Sequence, residues 1–230
     1  MSTRNKKQFQ RCIYCGVLGS VTLDHVPPKC LLPAGARQNL VTVPSCEKCN
    51  GGFSKDDEYF RTHLCTRADL KGDPRLVSLH AATQRQLVRP EAVRFRHKLF
   101  QSWKVREVTT HSGLYLGNAW TATVDTKRLL RVVNRTMRGL YYIAMGEPIP
   151  VTHELSCGQM DDRKNLSAGD AATLNELLDI VLRQGKNDAR GDGAFKWHYQ
   201  NAEDDPHSSF WLLIFYDKLV FRGIVSPKLN

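Results

Sequence analysis

The chain has 230 residues, of which 41% are hydrophobic and 24% charged; that balance describes a globular protein and excludes a disordered one. Lysine and arginine outnumber aspartate and glutamate by 33 to 23, and a formal charge of +10 favours a polyanionic partner, with nucleic acid ahead of an acidic membrane surface. No apolar run approaches the ~20 residues that span a bilayer, so no membrane segment is expected.

The chain opens with MSTRNKKQFQR, basic but with no apolar segment behind it, which does not read as a secretory signal. The expected compartment is therefore the cytoplasm, where paired cysteines point to a metal more than to disulfides. Seven cysteines are present: Cys12, Cys15, Cys30, Cys46, Cys49, Cys65 and Cys157. Cys12/Cys15 and Cys46/Cys49 form two Cys-x-x-Cys pairs. A two-residue gap lets both thiolates of a pair reach one ion at about 2.3 Å, and two pairs complete a tetrahedron with no open position, the mark of a structural zinc. A redox role is disfavoured because no βαβ pattern surrounds either pair. Cys30 and Cys65 lack paired spacing and read as ordinary thiols.

Between the pairs, SVTLDHV (20–26) and NLVTVP (39–44) alternate and are rich in strand formers. The intervening PPKCLLPAGARQ is a loop by its prolines and glycine. Ser45 is placed to cap a helix carrying Cys46, Cys49 and Asn50, which Gly51-Gly52 should kink or end. Ser54 followed by Asp57 reads as the cap of a second helix, KDDEYFRTHL. Asp56, Asp57 and Glu58 read as first-turn acids favoured by the helix dipole, and His63 as a surface or packing histidine. The segment 11–65 carries few large apolar residues, so zinc binding would supply what its own core lacks.

Asp24-His25 on the first strand, Asn39 before the second and Asn50 directly behind the last cysteine resemble an HNH endonuclease, the ββα-metal nuclease fold in its zinc-bound four-cysteine form. The asparagine behind the second Cys-x-x-Cys is similar to that of phage Holliday-junction resolvases in this superfamily. The resemblance covers about a quarter of the chain and rests on the combined order of these residues. It implies phosphodiester hydrolysis with His25 as general base, Asp24 and Asn50 holding Mg²⁺ or Mn²⁺, and Asn39 fixing the loop or the imidazole. Hard oxygen donors suit such a cation, and an imidazole titrating near 6.5 suits a base at neutral pH. The family often carries a further histidine, or a Lys-Gly, after the helix asparagine. Gly51, Gly52, Phe53 and Ser54 stand there instead, which leaves the third ligand open. Many such small nucleases serve mobile elements or phage defence, an association that comes with the resemblance alone.

From residue 66 the pattern changes. The stretch 84–106 holds seven lysines or arginines against the single Glu91. FQSWKVREVTT and GLYLGNAWTATVD read as strands, and DTKRLLRVVNRTMRGLYYIAMG as a helix. Leu130, Val133, Met137, Leu140, Tyr141 and Ala144 form its apolar stripe. Arg128, Arg131, Arg135 and Arg138 line another face without interleaved acids at i,i+4, which makes them candidates for phosphate contact. SAGDAATLNELLDIVLRQG is a second amphipathic, capped helix. AFKWHYQ, SFWLLIFY and KLVFRGIV close the chain as an antiparallel meander, with Trp197, Phe210 and Trp211 as core or interface.

The expected fold class is α+β: a zinc-clipped ββα-metal nuclease domain over 1–65, then a basic α+β domain over 66–230 that positions substrate or docks a protein partner. DNA is the expected partner and RNA remains open. The rival class is a non-catalytic zinc module binding nucleic acid or protein. A zinc deaminase is disfavoured because His25 is followed by Val26 and Pro27, not by x-Glu, and because that chemistry needs an open zinc.

Overall fold

A computed structural model describes residues 8–110, 112–160 and 166–228; most of the N-terminal stretch read above as lacking a signal lies outside them. Three antiparallel strands come first, in the order β1 (Gln8–Arg11), β2 (Leu18–Val26), β3 (Val41–Cys46). The β2–β3 register sets Asp24 opposite Val43, His25 opposite Thr42 and Val26 opposite Val41. Helices α1 (Glu47–Gly52) and α2 (Ser54–Thr66) follow. Cys46, not Ser45, caps α1, its sulfur accepting from the Cys49 N–H at 3.5 Å, while Ser45 is fully buried in β3. Phe53 separates the two helices, and the Ser54 side chain makes no capping bond.

Helices α3 (Val77–Leu87) and α4 (Val93–Gln101) occupy the basic stretch, where no elements were anticipated. A two-stranded ribbon, β4 (Trp103–Thr109) and β5 (Tyr115–Ala122), matches the two strands read from the sequence. Helix α5 (Thr126–Met145) is capped by Asp125 and stopped by Gly146 in a left-handed conformation, φ 78°, where glycine carries no steric penalty. Strand β6 (His153–Gln159), helix α6 (Ala168–Arg183) capped by Ser167, and strands β7 (Lys186–Arg190), β8 (Phe195–Asn201), β9 (Ser209–Phe215) and β10 (Leu219–Pro227) complete the chain. They form a five-stranded antiparallel sheet, β6-β10-β9-β8-β7, with the expected β8–β10 meander in its middle. No described helix is long and apolar enough to cross a membrane.

The large sheet is covered on both faces. Alternate residues of β9 and β10 (Trp211, Leu213, Phe215, Phe221, Val225) join the main core. Phe210, Leu212, Ile214, Val220 and Ile224 pack with Leu174 and Val181 of α6 in a second cluster. The main core also takes in Ile13, Val26, Leu31, Leu32, Val43, Phe60 and Leu64; the Phe60 and Phe215 rings lie 4.9 Å apart, and the Tyr216 hydroxyl donates to the Leu31 carbonyl at 2.9 Å. The cysteine-bearing segment therefore buries its few apolar residues in a core shared with residues beyond position 65. Helix α5 crosses β2 so closely at Gly139 that a Cβ there would collide with Val26. That contact fixes the helix phase. Leu129, Val132, Val133, Thr136, Met137, Leu140 and Tyr141 are buried, whereas Leu130 is half-buried and Ala144 exposed. The stripe read from the sequence is thus rotated, and Arg135 falls on the buried side at 3% exposure.

Candidate metal centre and hairpin–helix site

Cys12 and Cys15 lie in the turn from β1 to β2, which Gly16 closes at φ 73° by donating its N–H to the Cys12 carbonyl. Cys46 and Cys49 lie at the start of α1. The four sulfurs are all within 4.8 Å of one another, and those of Cys15 and Cys46 are 3.8 Å apart. A tetrahedral ion about 2.3 Å from each sulfur sets neighbouring sulfurs about 3.8 Å apart, so the cluster has the dimensions of a four-thiolate zinc site with no open position. Burial opposes ionisation of Cys12, but backbone N–H groups around it hold its thiol down to about 7. Burial and the neighbouring sulfurs push Cys49 well above the ordinary thiol range. A cation is what such a cluster needs to be fully deprotonated. Cys30, Cys65 and Cys157 stand outside it. Burial pushes the Cys30 and Cys157 thiols up to about 12 and also raises Cys65.

Thr22, Asp24 and Val26 share one face of β2; His25 projects from the other, as alternation requires. On the first face the Asn50 amide donates to the Thr22 hydroxyl at 2.9 Å, two residues before Asp24 on the strand. Asp24 is buried. It accepts from the Tyr14 hydroxyl at 3.0 Å and lies 3.6 Å from Nε of Arg135. Burial raises its pKa against the pull of Arg135. The same guanidinium donates to Asp57 at 2.9 Å and lies 4.7 Å over the Phe53 ring. Burial, opposed by Arg135 and reinforced by the charges of Asp24 and Asp56, pushes Asp57 up to about 6. Its Oδ1 is buried without a hydrogen-bond partner, and so is one terminal nitrogen of Arg135.

The sequence-derived site residues thus separate. Asp24 and Asn50 share a face. The His25 imidazole makes no hydrogen bond among the described residues; burial first, then the charge of Lys29, lowers its pKa, with Asp24 acting the other way. Asn39 adopts φ 57° in the turn before β3. It lines a cavity of about 420 Å³ against residues 189–193, and no hydrogen bond ties it to His25.

Three of the four α5 arginines have carboxylate partners. Arg128 and Arg131 converge on Asp56 at 2.7 and 2.6 Å, and Arg135 bridges Asp24 and Asp57. Burial of Asp56 works against its charge, yet these two guanidiniums hold it below the usual carboxylate range. Asp56 and Asp57 are therefore more than dipole-favoured first-turn acids. Among the described residues the Arg138 side chain bonds Asn134, at 2.9 Å, and no carboxylate. With Lys127, Arg131 and Arg135 it lines a cavity of about 440 Å³ beside Tyr14 and Phe53.

The sequence reading missed Tyr14, inside the first Cys-x-x-Cys, and the tie from Arg135 to Asp57. The one advance signal was that Arg135 lies a single helical turn from Val132 and Gly139. Asp24 and Asp57 share the guanidinium of Arg135, and one Asp57 oxygen is buried without a hydrogen-bond partner among the described residues; oxygen donors of this kind are what a hard divalent cation takes. Among the described residues, the four cysteines are the one group of three or more histidine, cysteine, aspartate or glutamate ligands gathered closely enough to hold an ion. No family model, no curated protein and no solved structure matches the chain.

Proposed function

We propose that the chain is a zinc-braced endonuclease of the HNH, ββα-metal type that hydrolyses phosphodiester bonds in DNA. One observation carries the reading: the four-cysteine cage joins the β1–β2 turn to α1, and Asn50, directly behind the last cysteine, bonds Thr22 on the face of β2 that also carries Asp24. The zinc is structural. Asp24 and Asn50 would hold a Mg²⁺ or Mn²⁺ ion, with Asp57 the nearest candidate for the third ligand; bound there, the ion would neutralise charge building on the phosphate and the leaving oxygen. His25 is kept neutral by burial and Lys29, as a base must be before it takes the proton of the attacking water. Its place on the opposite face of β2 separates proton removal from cation binding. Among the described residues Arg138 is the α5 arginine with no carboxylate partner, and with Lys127 it lines the cavity beside Tyr14 as a candidate for a substrate phosphate.

A second reading is a non-catalytic zinc module that binds nucleic acid or a protein partner. It is favoured by Arg135, whose guanidinium already neutralises Asp24. Supercoiled plasmid, linear and branched DNA, and RNA incubated with Mg²⁺, Mn²⁺ or EDTA separate the two. The endonuclease reading expects nicking or cutting of DNA with either ion and none in EDTA. Binding without cleavage under every condition supports the second reading.

A further inference from the structure

Beyond α5, a second set of cations open to a polyanion stands on the arm formed by α4 and the β4–β5 ribbon. Arg94, Lys98, Lys104 and Arg106 are exposed, and none forms an ion pair or side-chain hydrogen bond among the described residues. The ribbon pairs with no other strand. An isolated two-stranded hairpin is marginal in water; this one is tied to α4 through the Phe100, Trp103 and Trp120 rings, with centroids 6.3 and 6.5 Å apart in sequence. Register and alternation sort its side chains. Lys104, Arg106 and Val108 share one face with their partners Thr121, Ala119 and Gly117, so the two cations stand above small neighbours. The ribbon's acid, Glu107, is on the opposite face with Trp103 and Val105.

A groove of about 990 Å³ runs from this arm to the N-terminus of α2. Lys55, Arg89, Arg94, Lys98 and Arg128 line it against Glu58 and Glu91. It ends at Lys55, beside the acids that hold the α5 arginines.

We propose that this arm docks double-stranded DNA, laying the Lys104/Arg106 face of the ribbon in the major groove, with Arg94 and Lys98 on the adjacent phosphates. The B-form major groove, about 12 Å wide, admits a two-stranded ribbon. The major groove of A-form RNA is too deep and narrow for side chains to read. The arm therefore selects duplex DNA over duplex RNA. The inference deepens the endonuclease reading and rests on it for the docked duplex to be a substrate.

The test is fluorescence anisotropy without added Mg²⁺ or Mn²⁺, using a labelled DNA duplex two helical turns long, about 20 base pairs, the matching RNA duplex, and anionic vesicles. The protein is the zinc-loaded full chain, either wild type, Lys104→Glu/Arg106→Glu, or Arg94→Glu/Lys98→Glu. These side chains are exposed, and zinc content with far-UV circular dichroism confirms that the variants fold. Wild type should bind DNA more tightly than RNA. Each double variant should weaken DNA binding at least about tenfold and reduce the salt slope by about two. Unchanged affinity in both variants, equal binding of the RNA duplex, or binding to vesicles alone overturns the proposal. His25→Ala should bind like wild type; DNA binding by the arm in a protein that cleaves nothing sinks the endonuclease reading while leaving the docking surface intact.

Discussion

The guanidinium of Arg135, on α5, lies 3.6 Å from the carboxylate of Asp24, on β2. Through Asp57 it also grips α2 at 2.9 Å, so one buried cation ties three elements at the point where the hairpin meets its helix. Two buried carboxylates depend on it. Arg135→Met should therefore destabilise the fold by roughly 3–5 kcal/mol, the usual cost of removing one partner of a buried pair. Adding Asp57→Asn to that variant should recover part of the loss, because the added amide carries no charge to strand. Urea unfolding of the single and double variants measures both, and additive losses would rule out the coupling.

Arg128 and Arg131 share Asp56, so either one alone keeps that carboxylate paired. Arg131 is about half exposed, and exposed pairs contribute less than about 1 kcal/mol. Each single alanine variant should therefore be mild, while Arg128→Ala/Arg131→Ala should cost more than the sum of the two. A double-mutant cycle in urea reads the difference directly.

The sulfur cage predicts one zinc per chain and complete loss of it in Cys46→Ser. Zinc-peptide binding energies of about 10–16 kcal/mol far exceed ordinary domain stability. Chelation should thus unfold the β1–β2 turn and α1, and lower the melting temperature sharply. The three thiols outside the cage should react with a thiol reagent only slowly until the protein is denatured, since burial raises each of them. A chelator with no effect on melting would contradict the bracing role.

Stability should also report on His63 of α2. Burial, then the charge of Arg67, lowers its pKa to about 4, against an unfolded value of about 6.5. Between those values the unfolded chain binds the extra proton, so His63 contributes fully above about pH 6.5 and less as the pH falls toward 4. The melting-temperature difference between wild type and His63→Gln should shift accordingly, wild type losing ground at acid pH. Asp57 titrates in the same window with the opposite sign, but it is common to both proteins and cancels in the comparison. A difference that stays flat from about pH 7 to 4 would show that His63 is not held neutral.

Local signals carried much of the architecture. Cys-x-x-Cys spacing, the alternation of β2 and β3, the Ser167 cap and the β8–β10 meander all depend on residues near one another in sequence. What escaped depends on partners far away. The acids that neutralise the α5 arginines sit 72 to 111 positions upstream, beyond any i,i+4 argument. The phase of α5 is set by Gly139 against Val26, which moved the buried stripe onto Leu129 and Val132 and drew Arg135 inward. Strands β6 and β7, HELSCGQ and KNDAR, are polar edge strands; only a neighbour's hydrogen bonds define them. Thr22 sets Asn50 on the face of β2 that carries Asp24, whereas Asn39 sits in a turn with positive φ, a local signature that a turn asparagine has whether or not it faces a site.

The most direct test compares DNA cleavage by wild type and His25→Ala with Mg²⁺ or Mn²⁺ at matched zinc content. A loss of at least about a hundredfold with the zinc retained is what a proton-accepting imidazole on this hairpin requires. Equal rates for the two proteins, or no cut by the wild type with either ion, would mean that the zinc-held hairpin presents DNA without breaking it.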